Sequence, residues 1–228
     1  MRLFVAGATG ATGTVFIPLA EQAGHELRLH VRPQSRDKSP LGRDPRARVV
    51  DLADEGALRE AVAGCDAVVS FVGTMRNRFS AGDTYESSDV GSTRHLVAAA
   101  KSAGVSRVLL LSSFGAGGAG AYLQMKAECE RIVTDSGLAW AIFRPSMLVS
   151  PEGSTTSVHG ARRAPPGATS AMRIMRAIPG LRGWADDARP IGIDVVCRAF
   201  LAVLAGWEKW QGNVLSGRTL WELGSPAP

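Results

Sequence analysis

The sequence predicts an α/β fold with a doubly wound parallel sheet, and three observations carry that prediction. Short apolar runs alternate with helix-like stretches from the first residue onward, the order that places helices on both faces of a parallel sheet. Some of the runs are apolar throughout, as strands buried on both faces must be. A glycine-rich turn joins the first run to the first helical stretch.

The elements follow in order. Leu3–Val5 reads as a strand, and the apolar-periodic segment Thr14–Ala23 as a helix ended by Gly24. Pro18 falls inside that helix, where it removes a donor and crowds the preceding turn, so a kink or irregularity is expected. Leu27–Val31 and Arg48–Val50 are the next strands, Ala57–Ala63 a helix stopping at Gly64, and Ala67–Val72 a buried strand. Ser92–Ala103 is an Ala-rich helix ended by Gly104, Val108–Leu111 a strand, Tyr122–Ser136 a helix ended by Gly137 and Ala139–Phe143 a strand. After Pro145 the composition turns to Ser, Thr, Gly and Pro over residues 150–170, which predicts a long loop, with 150–190 as a substrate-side lid. Asp194 stands where an N-cap would, before Val195–Leu204, and Val214–Leu223 reads as a last short strand. The expectation is one domain over residues 1–228 with a small C-terminal substrate-binding portion.

Charge narrows the classes. The 228 residues are 45% hydrophobic and carry 26 Lys+Arg against 21 Asp+Glu, with 22 arginines and only 4 lysines. The planar arginine fork suits phosphates, although an Arg-favouring genome would leave the same imbalance. Residues 28–48 hold Arg28, Arg32, Arg36, Lys38, Arg43, Arg46 and Arg48 against Asp37 and Asp44. Residues 162–189 hold six arginines, among them Arg162, Arg163, Arg173 and Arg176, against Asp186 and Asp187. Two local patches do not make a nucleic-acid coat. No apolar run approaches the ~20 residues of a membrane helix, and Leu3–Ala6 is too short for a secretory signal. Cys65, Cys129 and Cys197 lack metal-ligand spacing and read as buried hydrophobes. His25, His30, His95 and His159 read as structural or solvent-exposed. A cytoplasmic protein without metal, membrane or nucleic-acid partner is expected, as a monomer or homodimer.

Gly7-Ala8-Thr9-Gly10-Ala11-Thr12-Gly13 follows the first strand and opens the first helix. The first glycine permits a tight turn, the second lets backbone approach a pyrophosphate, and the third allows close helix packing. The helix N-terminus then offers free N–H groups to phosphates. An NAD-preferring site places a carboxylate at the end of the second strand. Here Val31-Arg32-Pro33-Gln34-Ser35-Arg36 stands there, and Arg32 and Arg36 suit a 2′-phosphate, so NADP(H) is preferred, with NAD(H) possible. Solvated loop arginines are the alternative. Asp51-Leu52 after the third strand either meets the adenine amine or supplies a helix N-terminal acid.

Tyr122 and Lys126 lie four residues apart, on one face if the segment is helical. Reducing a carbonyl with a nicotinamide requires a proton donor, and an ammonium beside a phenol favours loss of its proton. Ser112-Ser113 closes the preceding strand, and a serine hydroxyl there would hold the carbonyl oxygen. A half-buried tyrosine beside a solvated lysine is the bland alternative.

Together with Asp66-Ala67-Val68-Val69, Asp89-Val90-Gly91 and Arg144-Pro145-Ser146, these motifs resemble the atypical short-chain dehydrogenase/reductase family over nearly the whole chain. The similarity is greatest to its NAD(P)H-binding branch, which includes flavin and biliverdin reductases and NmrA-like proteins. It implies a Rossmann fold, cofactor across residues 7–13, 32 and 51, and nicotinamide near Phe71-Val72-Gly73, Ser112-Ser113 and Pro145. It implies Ser113, Tyr122 and Lys126 as the catalytic set, Ser112 being the alternative serine. Ser113 and Tyr122 are nine positions apart, closer than is usual in the broader family. The expected activity is NADPH-dependent reduction of a small carbonyl, quinone or flavin-like substrate lying between the Gly73–Asp83 loop and the 150–170 loop, near Met147 or Trp184. A cofactor-binding redox sensor and an epimerase or isomerase are the alternatives.

Overall fold

The computed structural model describes residues 1–73, 84, 86–150 and 187–225. The first half runs β1 (Arg2–Ala6), α1 (Ala11–Gln22), β2 (Glu26–Val31), β3 (Ala47–Val49), α2 (Glu55–Val62) and β4 (Ala67–Ser70). Then follow a π-helical turn (Glu86–Val90), α3 (Gly91–Ser102), β5 (Arg107–Leu111), α4 (Ala121–Thr134) and β6 (Ala139–Arg144). Two short strands, β7 (Leu148–Val149) and β8 (Ile191–Gly192), precede α5 (Ile193–Ala205), α6 (Trp207–Trp210), β9 (Asn213–Ser216) and α7 (Gly217–Gly224).

Seven strands pair in parallel in the order β3-β2-β1-β4-β5-β6-β9. This is the doubly wound Rossmann arrangement. The chain winds outward in both directions from β1, so the order reverses between β1 and β4, where such sheets bind ligands. Alternate residues of β1 serve opposite cores. Leu3 and Val5 pack with Phe16 of α1, Phe200 of α5 and Leu220 of α7, while Phe4 and Ala6 pack with Leu58 of α2, Leu96 of α3 and Met125 of α4. That two-sided burial is why the strand is apolar at every position. Phe143 and Phe200 stack with centroids 3.6 Å apart, and Phe16 and Phe71 close around Phe200. Each such fully buried ring contributes about 1.5–3 kcal/mol.

Several expectations need correcting. Helix α1 begins at Ala11 and runs through Pro18 to Gln22 without interruption. Pro18 and Thr14 are exposed, so the carbonyl that loses its partner faces water. The buried strand β4 ends at Ser70, not Val72. Asp194 does not cap α5. Gly192 precedes the helix, and Asp194 lies in its first turn, bonded to Arg198 at 2.6 Å. The last segment is not one strand: β9 ends at Ser216, and Gly217 (φ +46°) turns the chain into α7. Leu220 is wholly buried there, and a Cβ on Gly224 would stand 1.9 Å from the Val195 carbonyl oxygen, so α7 seats directly on α5. The lid readings on residues 151–186, including Trp184, His159, Arg162, Arg163, Arg173 and Arg176, lie outside the described residues.

Candidate cofactor and active site

The glycine turn has the geometry of a phosphate cradle. Gly7 sits at φ +81°, and a Cβ there would come within 2.8 Å of the Phe71 carbonyl carbon, so the turn after β1 presses against the end of β4. A Cβ on Gly13 would meet the Gly7 oxygen at 2.4 Å, which fixes glycine where the helix leaves the turn. Gly10 is exposed, and a Cβ there would meet only the Gly7 oxygen, at 3.2 Å, among the described residues. Its outer side is therefore open to a ligand. Helix α1 has no side-chain N-cap and no acid in its first turn, leaving its N–H groups available for an anion. These features fit a dinucleotide pyrophosphate. Thr9 and Ala11 are partly exposed on this rim, whereas Thr12 is buried, its carbonyl accepting from Cys197 Sγ at 3.6 Å. Burial pushes the Cys65, Cys129 and Cys197 thiols up, so all three stay neutral and inert.

At the other end, β2 and β3 stop beside one another. His30 Nε2 lies 2.9 Å from the Val50 carbonyl, and Arg32 and Asp51 both stand near the ring. Arg32 precedes a 3-10 turn (Pro33–Ser35), and Arg36 ends it. A Cβ on Gly42 would meet the Arg36 carbonyl oxygen at 1.9 Å, so the loop folds back tightly and holds Arg36 in place. Asp54, rather than Asp51, caps α2, accepting from the Ala57 N–H at 3.0 Å. Asp51 is thereby left exposed, accepting from Ala53 N. Leu52 points into the core.

The third group collects at the carboxyl ends of β4, β5 and β6. Tyr122 is 39% exposed in the first turn of α4, and Lys126, one turn later, is only 5% exposed. The Lys126 Nζ stands 5.9 Å from the Tyr122 ring centroid and 3.7 Å from Asp89 Oδ1. A Cβ on Gly73 would lie 3.7 Å from that same Nζ, so the end of β4 and α4 meet here. Gly73 borders this point, Val72 N lies beside the glycine turn at Gly7, and the Phe71 ring is turned into the aromatic core. Ser113 is half-buried, its hydroxyl 3.4 Å from the Phe114 carbonyl oxygen, and Phe114 N–H donates to the Pro145 carbonyl at 2.8 Å.

Ser112 is placed differently. Its hydroxyl donates to the buried Glu130 carboxylate, which also takes two hydrogen bonds from Arg144. The Ser112 side chain is committed to the fold, which leaves Ser113 as the candidate serine. Sequence reading missed Glu130, and it named Asp89 only within the Asp89-Val90-Gly91 motif, without its contact to Lys126. Glu130 carried a signal: with Tyr122 and Lys126 it completes an i, i+4, i+8 row on one helical face. The contact of Asp89 with Lys126 carried none, because it is made only in three dimensions.

The fold and the glycine cradle are those of a Rossmann-fold dinucleotide-binding protein. Residues 7–176 match the family described as NAD(P)H-binding, and the chain belongs to that family. It is 33% identical over 120 residues to sterol demethylase protein B of Methylococcus capsulatus (strain ATCC 33009 / NCIMB 11132 / Bath), across 52% of this chain and 36% of that protein. The chain thus spans about a third of that relative's length. Two solved structures share the fold. One is a short-chain dehydrogenase/reductase superfamily protein from Agrobacterium tumefaciens with bound NAD (TM-score 0.66, 17% identity, 95% of this chain and 77% of that one). The other is a wide-type short-chain dehydrogenase/reductase from Veillonella parvula in complex with NADP (TM-score 0.64, 15% identity, 99% and 98%). Among the described residues, no helix is long and apolar enough to cross a membrane, and no cluster of His, Cys, Asp or Glu could hold a metal.

Proposed function

We propose that this chain is an NADPH-dependent oxidoreductase acting on a small carbonyl, quinone or flavin-like compound. One observation carries the reading: an exposed phenol, Tyr122, with the nearly buried ammonium of Lys126 behind it at the ligand-binding end of the sheet. The reduced nicotinamide supplies a hydride when bound. The glycine turn and the α1 N-terminus hold the pyrophosphate, and Arg32 and Arg36 hold the 2′-phosphate. Ser113 donates a hydrogen bond to the substrate oxygen. Tyr122 gives its hydroxyl proton to that oxygen as the neighbouring carbon becomes C–H, and water later restores it. The Lys126 charge stabilises the phenol oxygen while it is negative.

Tyr122→Phe tests the assignment. With NADPH and an ortho-quinone or aldehyde panel, kcat falls about 10²–10⁴-fold, the usual worth of a positioned acid, while NADPH affinity stays within about twofold. Unchanged turnover on every responsive compound overturns it. Net NADPH consumption separates a reductase from an epimerase.

A further inference from the structure

We infer that Gln124 is a positioning residue for the Ser113–Tyr122 pair, because it holds down the glycine loop that joins them. The inference rests on the reading above for the roles of Ser113 and Tyr122. It rests on the chain's own geometry for the clamp.

Ser113 and Tyr122 are joined by Phe114-Gly115-Ala116-Gly117-Gly118-Ala119-Gly120-Ala121, a second glycine-rich stretch. Gly115, Gly117 and Gly120 stand at φ +79°, +88° and +99°, so the path back to α4 depends on them. Glycine permits that path and does nothing to hold it, since it loses more freedom on ordering than any other residue. The hold comes from the first turn of α4. Gln124 Nε2 donates to the Gly117 carbonyl at 3.0 Å and to the Gly118 carbonyl at 2.8 Å, one amide group serving two acceptors. Gly117 N–H donates in return to the Leu123 carbonyl at 2.9 Å. Leu123 also supplies the floor. A Cβ on Gly118 would stand 3.2 Å from Leu123 Cδ1 and 2.9 Å from the Gly115 carbonyl oxygen, so even a methyl group crowds the loop there.

The other end of the loop is tied to the strands. Phe114 N–H donates to the Pro145 carbonyl at 2.8 Å, and Ala116 N–H to the Ser113 carbonyl at 3.1 Å. Ser113 thus stands at one anchor and Tyr122 at the other. Gln124, Gly117 and Gly118 are all exposed, so the core does not require the two amide bonds. Each contributes only about 0.5–1.5 kcal/mol, little for the fold but enough to decide whether a loop of this composition stays docked. Passing a proton from Tyr122 to an oxygen held by Ser113 needs both hydroxyls within reach of one atom. The loop is the shortest covalent path between them, and its docking sets their spacing.

The test is Gln124→Leu, which keeps the bulk of the side chain and removes both bonds, read by amide hydrogen exchange and by kinetics. Exchange over residues 114–121 speeds up about tenfold, while the unfolding midpoint moves by less than about 2 °C. On the compounds the wild-type chain reduces, kcat falls about tenfold, and the KM for NADPH stays within about twofold. Gly118→Ala, which crowds the loop with Gln124 intact, produces the same two changes, and Gly118→Ala/Gln124→Leu loses no more turnover than either alone. Unchanged exchange in Gln124→Leu overturns the inference. So does faster exchange with undiminished turnover, or losses that multiply in the double variant. The exchange is read with no substrate present, so the clamp stands or falls apart from the oxidoreductase reading, whose failure shows in Tyr122→Phe.

Discussion

His30 couples the end of β2, where Arg32 stands, to pH. Its ring is 3% exposed and donates to the Val50 carbonyl, tying the end of β2 to the residue after β3. Burial, aided by the Arg32 charge, pushes its pKa down to about 4. In the unfolded chain the ring titrates near 6.5, so below that pH the unfolded state takes up a proton that the folded state refuses. Stability supplied by His30 is therefore complete above pH ~6.5 and is lost as pH falls toward 4, by about 3 kcal/mol in all. His25, also lowered by burial, acts in the same direction. Chemical denaturation between pH 7 and 4 should show this slope, and His30→Asn should flatten it. An equal slope in the variant would exclude His30 as the source.

Helix α4 shows what an element adds beyond its residues. Glu130 binds Arg144 of β6 and Ser112 at the end of β5, so one carboxylate fixes the helix against two strands while Tyr122 and Lys126 project from its preceding turns. Glu130→Gln strands a partly buried guanidinium and should cost about 3 kcal/mol, lowering the midpoint by roughly 6–12 °C. Glu130→Met/Arg144→Met should recover most of that loss, and a double variant no more stable than the single would show that the pair is not the clamp. The same helix marks what the sequence could tell. Tyr122, Lys126 and Gly137 placed it correctly, because spacing and helix-ending glycine are local properties. The glycine turn was legible for the same reason: strand, turn and helix are contiguous. The contact of Asp89 with Lys126 and the commitment of Ser112 to Glu130 were not, since each depends on which elements lie side by side. The final segment misled because Val214 and Leu215 begin as a strand, and only packing on α5 makes a helix of the rest.

At the scale of the molecule the question is whether net charge or its placement selects the cofactor. The basic stretch 28–48 is largely structural. Arg28 donates to the Ala61 and Ala63 carbonyls at the end of α2, Arg46 pairs with Asp44 and Glu21, and Arg48 donates to the Ala47 carbonyl. Arg32 and Arg36 stand instead at the carboxyl end of β2, on the side of the sheet where the glycine turn opens. If placement decides, Arg32→Glu/Arg36→Glu should weaken NADPH binding about 10–100-fold and NADH binding less than threefold. Arg59→Glu/Lys101→Glu, two exposed bases on α2 and α3, removes the same net charge and should leave the NADPH:NADH ratio intact. Salt sharpens the contrast. The screening length shortens from about 30 Å at 0.01 M to about 10 Å at 0.1 M, so NADPH affinity should fall more steeply than NADH affinity over that range. In the Arg32→Glu/Arg36→Glu variant the two slopes should converge. If both double variants shift both cofactors equally, the attraction belongs to the +5 net charge, and the strand-end arginines are solvated surface.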